Sequence, residues 1–388
     1  MDPGLNPEQM AIVNRVAELR PRFAERAPRY DIESSFPVEN YADLRKAGLL
    51  GMTVPKEYGG LGVDWPTYAF SLLEMAKGDS ATALTFNMHA VIVDFIASLG
   101  TAAQKKRWFS EVVDHGKLVS SVTSEPQSSF RHKFVLTTTF KPVDGGYLLN
   151  GVKHFASLGE FSDYHFVSAL IEGTTTAREG QRSALVAKTT KGITVERNWN
   201  AMGMRGTASD TIRYENCLVP EEDCLGGIAA LAGIDITGFG LGYAAIYLGI
   251  GEAAFDYVLD YVKTKSFQLP EPLSQHPSTQ RSIGEMATQI RAGRAFLREA
   301  AQVKMQGDRV ATTLVVNEAK GFCTDAGVFV TDRAIRLAGG RGILKAYPLE
   351  RWHRDAMCGP VMSPANERCL ETAGKILCGL EGKTLEYV

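Results

Sequence analysis

Apolar residues recur with a helical period over the first part of the chain, up to about residue 118. Asn6-Pro7 is typical of a helix start, because asparagine caps free backbone N–H groups and proline fits the first helical position. Apolar residues then follow at three-residue steps, at Met10, Val13, Val16 and Leu19. A long apolar run from Ala81 to Leu99 stops at Gly100 and predicts a central helix. The pattern predicts an N-terminal helical domain over residues 1–118.

The period changes toward two between residues 119 and 222, which is typical of strands. A strand is predicted over Val135–Phe140, and the Gly145-Gly146 pair after it indicates a hairpin turn. Further strand patterns follow at Tyr147–Leu149, Phe166–Leu170 and Thr211–Tyr214. These observations predict a middle β-domain over residues 119–222.

Helical periodicity returns over residues 223–388 in three long amphipathic stretches, Tyr243–Val262, Ile283–Met305 and Val310–Leu337. Helices of this length and pattern bury their apolar faces against one another in a bundle. The chain is therefore predicted to be an α+β protein with helical domains on both sides of a β-domain.

Composition and charge narrow the range of partners. The chain has 388 residues and a formal net charge of −2, with no run of lysine and arginine, so we expect neither nucleic acid nor an anionic membrane as a partner. No CxxC pair occurs among the six cysteines, so a zinc site or a disulfide framework is not indicated. The N-terminus lacks a basic segment followed by an apolar core, and no uninterrupted apolar stretch has spanning length. We expect a cytoplasmic protein that acts on small molecules.

Four motifs occur in order along the chain. They are Ser124-Glu125-Pro126, Asn150-Gly151-Val152-Lys153, Met202-Gly203-Met204-Arg205-Gly206-Thr207, and Ala338-Gly339-Gly340-Arg341-Gly342 followed by Glu350–Ala356. Together they resemble the acyl-CoA dehydrogenase flavoprotein superfamily over nearly the whole chain. The resemblance implies a helical domain, a β-barrel-like middle domain and a C-terminal four-helix bundle. It also implies that FAD lies between the last two and reaches a neighbouring subunit, in a homodimer or homotetramer.

The resemblance assigns cofactor contacts to particular residues. Val122, Thr123 and Ser124 would bind the flavin pyrimidine ring, although such a run is also typical of an ordinary polar loop. Phe155 would pack on the flavin ring system and Ser157 would approach flavin N5, although a Phe in a strand is usually core. The adenosine side would be bound by Gln280, Arg336, Gly339, Gly340 and Gly342, with Arg336 standing where the family usually has Gln. FMN is the alternative to FAD.

The residue that the family uses as its catalytic base is missing. Oxidation of an acyl thioester requires a nearby carboxylate to remove the α-proton, and the usual Glu position falls here on Ser363. A minority of members carry the base at a position that falls here at about Phe239, which is not an acid either. Glu367, Asp235 and Glu252 are candidate replacements. Each also fits an ordinary solvated or capping acid; Ser363 and Pro364 predict a helix start, with Glu367 in its first turn.

Three functions remain open from the sequence. The leading expectation is α,β-dehydrogenation of an acyl-CoA or acyl-carrier-protein thioester by a relocated base, with electrons passed to an electron-transfer flavoprotein. The alternative is a flavin-dependent monooxygenase of the same fold, which would need reduced flavin from a flavin reductase but no α-carbon base. The third is a catalytically silent flavin-binding subunit.

Overall fold

The N-terminal part of the protein, seen in this computed structural model, consists of five helices. The structure describes residues 4–127, 136–267 and 270–380. The five helices are α1 (Pro7–Glu33), α2 (Val38–Lys46), α3 (Trp65–Gly78), α4 (Ser80–Leu99) and α5 (Ala102–Val113). The Asn6 side chain accepts a hydrogen bond from Gln9 N, and the Gln9 side chain accepts one from Asn6 N, so α1 begins at the predicted cap. Helix α4 has the length and apolar composition of a membrane span, but most of it is buried inside the protein.

Among its described residues, the middle part forms a mixed sheet of eight strands. They are β1 (Val119–Val122), β2 (Thr139–Val143), β3 (Gly146–Ala156), β4 (Tyr164–Ile171), β5 (Gln181–Ala187), β6 (Ile193–Val195), β7 (Asp210–Pro220) and β8 (Cys224–Leu225), with the short helix α6 (Ala177–Gly180) between β4 and β5. The strand order is β6-β7-β3-β2-β4-β5-β8, and β1 pairs with β4 in parallel.

The strand predicted over Val135–Phe140 begins later in the structure. Val135 lies outside the described residues, and β2 starts at Thr139. The backbone N–H groups of Thr137 and Thr138 donate to the Glu125 carboxylate, so they are not available to a neighbouring strand. The Glu125 carboxylate therefore takes the place of the strand partner that these two N–H groups would otherwise have.

The C-terminal part is again helical and confirms the predicted α+β fold. Its helices are α7 (Thr237–Thr264), α8 (Pro277–Met305), α9 (Arg309–Ala338), α10 (Leu349–Met357) and α11 (Asn366–Leu377). Helices α7 and α9 approach closely at Gly327, where an added Cβ would lie 2.4 Å from the Tyr247 carbonyl oxygen. A side chain at that position would force the two helices apart.

The predicted helix start at Ser363-Pro364 is wrong. Helix α11 begins at Asn366, and Ala365 occupies the capping position without a side-chain hydrogen bond. The preceding segment is held in another conformation because the buried Lys320 Nζ donates to the carbonyl oxygens of Gly359 and Met362, both at 3.1 Å, and to Asn366 Oδ1. Burial lowers the pKa of Lys320 to about 8. Glu367 does lie in the first turn of α11.

Candidate functional site

Segment 122–124 lies beside Lys153 and His154, which directly precede Phe155, although 30 residues separate Thr123 from Lys153. The backbone N–H of His154 donates to the Ser124 carbonyl oxygen at 3.0 Å, and Lys153 Nζ donates to the Thr123 carbonyl oxygen at 3.4 Å. The structure thus brings together the two groups of residues that were predicted to hold the flavin ring system.

A buried ion pair fixes this arrangement. Lys153 Nζ donates to Glu125 Oε1 at 2.6 Å and to the Ser168 carbonyl oxygen at 2.7 Å, and both side chains are fully buried. Burial acts to raise the pKa of Glu125, but the Lys153 charge and the bonds from Thr137 outweigh it and leave that pKa below its usual value. Burial lowers the pKa of Lys153 to about 8. The pair is charged at neutral pH and ties the polar segment after β1 to strands β3 and β4.

Phe155 adopts an unusual backbone conformation at the end of β3. Its φ is +51°, in the left-handed region that bulky residues avoid, and the pairing of β3 with β7 is interrupted between Lys153 and Ala156. Its side chain is 59% exposed, and the ring meets Trp199 edge-on at 6.1 Å. Strained residues concentrate at functional sites, so the backbone of Phe155 marks it as a candidate ligand contact.

A chain of buried hydroxyl groups lies directly behind Phe155. Ser157 Oγ is 2.8 Å from Ser209 Oγ, which is 2.7 Å from Thr207 Oγ1. Thr207 Oγ1 donates to the Met204 carbonyl oxygen at 2.9 Å. Sequence analysis missed Ser209, because its partner Ser157 lies 52 positions away and no local pattern links them.

Helix α10 fixes the other side of this chain. Asp355 Oδ1 accepts a hydrogen bond from Met204 N at 2.6 Å, and Asp355 Oδ2 accepts one from Ser80 Oγ at the start of α4. Burial raises the pKa of Asp355 to about 6. A single carboxyl group thus connects all three parts of the protein beside the site.

The glycine-rich turn after α9 lies beside a cavity of about 350 Å³. Its lining includes the aromatic rings of Tyr257, Tyr261, Phe267 and Tyr347 together with the cations Lys265 and Arg341. The Arg341 guanidinium lies over the Phe267 ring at 4.5 Å. Aromatic rings beside two cations form a surface suited to an aromatic ligand that carries phosphate.

The predicted adenosine-side residues differ in their positions around this turn. An added Cβ at Gly339 or Gly340 would meet nothing within 4 Å, whereas one at Gly342 would lie 2.7 Å from the Ile335 carbonyl oxygen. Gly342 therefore packs against α9, and only Gly339 and Gly340 leave open backbone. Arg336 is exposed and pairs with Asp332 at 2.8 Å, and Gln280 Nε2 donates to the Ser274 carbonyl oxygen at 3.1 Å. Neither side chain lines the cavity.

Helix α10 links the cavity to the Phe155 region, because its Trp352 ring lies 6.0 Å from the Tyr257 ring of the cavity lining and its Asp355 accepts from Met204 N. Helix α7 begins near the middle domain, where Phe239 meets Phe95 at 5.8 Å and Phe95 meets Phe166 of β4 at 5.9 Å. It ends at the cavity, where Tyr261 donates to the Ala338 carbonyl oxygen. The cavity lining contains none of residues 122–124, 155 and 157, so the structure does not bring the two groups of predicted cofactor contacts into one pocket.

Two of the three candidate bases are paired with cations. Asp235 forms an ion pair with Lys304 and accepts from Thr237 N at 2.8 Å. Burial acts to raise the pKa of Asp235, but Lys304 and the hydrogen bonds outweigh it and lower that pKa. Glu252 is buried between Arg294 at 3.3 Å and Lys77 at 3.5 Å, and burial raises its pKa. Asp235 is thus a weak base, and Glu252 lies inside an ion-pair cluster of α3, α7 and α8.

Glu367 and Ser363 are both exposed, at the C-terminal edge of the bundle. Neither side chain is enclosed by the packing that would keep water from a reacting α-carbon. None of the three predicted acids therefore combines a free carboxylate with a partly desolvated position.

A fourth carboxylate, Asp94, was missed by sequence analysis. It is the only acidic residue of α4, and it precedes Phe95, whose ring contacts Phe239 at 5.8 Å. Burial raises the pKa of Asp94 to about 6, while Lys304 acts to lower it and Asp235 acts to raise it. Over the described ranges no side chain or backbone N–H donates a hydrogen bond to it. The sequence signal that could have identified Asp94 is its position as a single acid within an apolar helix.

The described residues contain no group of three or more His, Cys, Asp or Glu side chains that could hold a metal ion. All six cysteines are free. The site chemistry is therefore to be sought in the hydroxyl, carboxyl and aromatic groups above.

Comparison with known proteins agrees with this architecture. Three family models match consecutive parts of the chain: acyl-CoA dehydrogenase, N-terminal domain, over residues 6–115; middle domain, over 120–217; and C-terminal domain, over 238–377. An acyl-CoA dehydrogenase of Bacillus subtilis (strain 168) is 29% identical over 354 residues, which cover 90% of this chain and 92% of that protein. A dibenzothiophene monooxygenase of Mycolicibacterium goodii is 30% identical over 363 residues, which cover 87% of each.

Solved structures agree with this fold. The butyryl-CoA dehydrogenase of Megasphaera elsdenii superposes with a TM-score of 0.91 and 27% identity, over 97% of this chain and 100% of that one. The complex of TdsC from Paenibacillus sp. A11-2 with FMN and indole has a TM-score of 0.87, with 95% of this chain and 97% of that one covered, and its 23% identity shows the fold alone. The chain belongs to the acyl-CoA dehydrogenase family of flavin-dependent oxidoreductases.

Proposed function

We propose that the protein is a flavin-dependent monooxygenase that uses reduced flavin and oxygen. The observation that carries this proposal is that each predicted base is either paired with a cation or exposed to water. Asp235 and Glu252 are paired with Lys304 and with Arg294 and Lys77, Glu367 is exposed, and the usual Glu position is the exposed Ser363. Removal of an α-proton from a thioester requires a free, partly desolvated carboxylate, whereas a reaction of reduced flavin with oxygen does not.

The stoichiometry of this reaction is balanced without an acid on the protein. Bound reduced flavin would supply two electrons, so that one atom of oxygen enters the substrate and the other leaves as water. The tasks left to the chain are to bind the ring system, to exclude water and to place a substrate beside it.

The described residues fit a flavin. The exposed Phe155 ring offers an apolar face, and Thr123 and Ser124, whose carbonyl groups accept from Lys153 and His154, would supply polar groups for the pyrimidine edge. In FAD, the adenosine end would need a second site, and the cavity lined by Lys265 and Arg341 suits its phosphates. As the resemblance implies, that cavity would belong to a second copy of the chain, in a homodimer or homotetramer.

FMN needs only the Phe155 end of this arrangement. Mass spectrometry of the flavin released from the purified protein distinguishes the two cofactors. An Arg341→Ala variant should weaken FAD binding and leave FMN binding unchanged, because only FAD carries an adenosine end. A flavin reductase is the partner that a monooxygenase requires.

A second candidate function, dehydrogenation of an acyl-CoA or acyl-carrier-protein thioester, is favoured by Asp94. Its carboxylate receives no hydrogen bond from any described residue, and burial raises its pKa to about 6, which suits a general base. The charges of Lys304 on α8 and Asp235 just before α7 both act on its pKa, so Asp94 lies near the start of α7. In that case an electron-transfer flavoprotein would be the partner.

Oxygen labelling tests the proposed function. The protein is supplied with chemically reduced FAD or FMN and ¹⁸O₂, with indole and dibenzothiophene as first substrates because relatives bind or oxidise such compounds. One ¹⁸O atom per product molecule, unaffected by Asp94→Asn, is the expected result. Oxygen consumption that yields hydrogen peroxide alone over a broad aromatic panel would contradict the proposal.

A further inference from the structure

A second cavity, of about 580 Å³, lies between α1, α3 and α8. This volume is in the range of small-molecule binding sites. Met10, Val13 and Ala17 of α1 form an apolar wall, because residues three and four positions apart share one face of a helix. None of the residues assigned above to the flavin or to the base is in the described lining, so the site described so far does not account for this cavity.

The opposite wall carries three arginines of α8, and we call this space the arginine cavity. Arg291, Arg294 and Arg298 lie on one face of the helix. The Arg294 and Arg298 guanidinium groups lie over the Phe70 ring of α3, at 5.4 and 5.9 Å from its centre. One buried ring therefore holds two cations in place before any ligand arrives.

The arginine cavity has an excess of positive charge. Glu74 is the only acid among its described lining residues, and it forms an ion pair at 2.8 Å with Arg20, which is not in that lining. Arg294 pairs with Glu252 at 3.3 Å, but a guanidinium has several N–H donors and can bind a second anion beside the first. Arg291 is exposed and forms no ion pair with a described residue. Three guanidinium groups with one paired carboxylate favour an anionic ligand.

We infer that the arginine cavity binds an aliphatic anion, that is, a carboxylate or phosphate group joined to an alkyl chain. The guanidinium groups would bind the head group in bidentate geometry, and the apolar wall of α1 would remove the chain from water. A flat aromatic ligand fits less well, because the Phe70 ring is only 2% exposed and lies under two guanidinium groups. The ligand would contact α1, α3 and α8 together and so stabilise the N-terminal domain against the bundle.

Calorimetric titration of the purified protein tests this inference. The probes are octanoate and octyl phosphate, with 1-octanol and inorganic phosphate as the matched ligands that lack either the charge or the chain. At least one octyl anion should bind, and the affinity for octanol and for inorganic phosphate should be about tenfold lower or less. The octyl anion that binds more tightly identifies the head group.

Three variants locate the bound anion. Arg291→Gln removes one cation at the rim and should weaken binding of the octyl anion about tenfold. Ala17→Phe fills the space beside the apolar wall and should abolish binding while all three arginines remain. Arg281→Gln is the control, because Arg281 is an exposed arginine of the same helix outside the described lining, and it should keep the wild-type affinity. Thermal unfolding without ligand shows that each variant is folded.

Three results would overturn the inference. The first is that neither octyl anion binds the wild-type protein. The second is that octanol or inorganic phosphate binds as tightly as the octyl anions, because the cavity would then recognise only a chain or only a charge. The third is that Arg291→Gln and Ala17→Phe both keep the wild-type affinity, because the anion would then bind elsewhere. The proposed monooxygenase would stand in all three cases, since oxygen labelling tests it separately.

Discussion

Arg354 binds both carboxylate oxygens of Asp31, at 2.9 and 2.6 Å, although 323 positions separate the two residues. The same guanidinium donates to the Met202 carbonyl oxygen at 2.8 Å and to Glu350. It therefore fastens α1 and the middle domain to α10, next to the Asp355 contact with Met204. The hydrogen bonds that Arg354 donates to Asp31 and Glu350 raise the pKa of Arg354, so it stays charged at any working pH.

Loss of Arg354 should destabilise the protein. Arg354→Met leaves Asp31 without its bidentate partner, and we expect the free energy of unfolding to fall by about 2–3 kcal/mol, less than for a fully buried pair because both side chains are partly exposed. Urea unfolding checks this value. Arg336→Met removes the exposed pair with Asp332 and should have little effect. Equal losses in the two variants would contradict the assigned role.

Asp355 should make the protein less stable as the pH rises from about 4 to 6. Its pKa is about 6 in the folded protein against 3.8 ordinarily, so the folded state holds a proton that the unfolded state has lost. The contribution of Asp355 to the free energy of unfolding is fully present below pH 3.8. It falls by about 2–3 kcal/mol as the pH rises through 6. Urea unfolding at four pH values, compared with Asp355→Asn, should show this difference in slope. Parallel curves would contradict it.

His89 should have the opposite effect. Burial lowers its pKa to about 4, and the neutral ring accepts from Val119 N at 3.1 Å through Nδ1 while Nε2 donates to the Leu50 carbonyl oxygen at 3.1 Å. The unfolded state gains a proton near pH 6.5, so stability is lost as the pH falls from 6.5 to 4, by about 3 kcal/mol. His89→Gln should flatten this dependence, whereas the exposed His115→Gln should leave it unchanged.

Removal of one partner of the Glu125–Lys153 pair should destabilise the protein more than removal of both. Lys153→Met leaves a buried carboxylate without its cation and should cost about 3–5 kcal/mol. The double variant Glu125→Leu/Lys153→Met removes both charges and should recover part of that loss. A double-mutant cycle by urea unfolding measures the coupling, and additive losses would contradict a direct interaction.

Phe155→Gly should lower the affinity for flavin without lowering the stability of the protein. Glycine adopts a φ of +51° without strain, and the ring it removes is mostly exposed, so the apoprotein should be as stable or gain about 1 kcal/mol. Flavin affinity should fall about tenfold, as titration would show. Asn216→Gly, at another exposed position with a φ of +50°, should leave the affinity unchanged.

The helices could be predicted from the sequence because their signals are local. The Asn6–Gln9 cap and the periodic stretches of α7, α8 and α9 depend on residues a few positions apart. The start of α11 could not, because Lys320 on α9 determines the path of residues 359–366 from a distance. The late start of β2 has the same kind of cause, since Glu125 captures the Thr137 and Thr138 amides.

The candidate site was predictable only where a motif marked it. The segments that contain Ser124 and Phe155 were identified by resemblance, and the structure places them side by side. Ser209 and Asp94 were not identified, because their significance depends on a distant hydroxyl and on burial. Gly342 matches the motif, yet it packs against Ile335, which only the structure reveals.

Anaerobic mixing with thioesters tests the central claim most directly. The protein carrying oxidised flavin is mixed with butyryl-CoA and longer saturated acyl-CoA thioesters, and the flavin absorbance is followed, with chemical reduction as the positive control. The proposed monooxygenase should show no bleaching with any thioester. Bleaching by a thioester, lost in Asp94→Asn, would contradict the proposal and establish a dehydrogenase with Asp94 as its base.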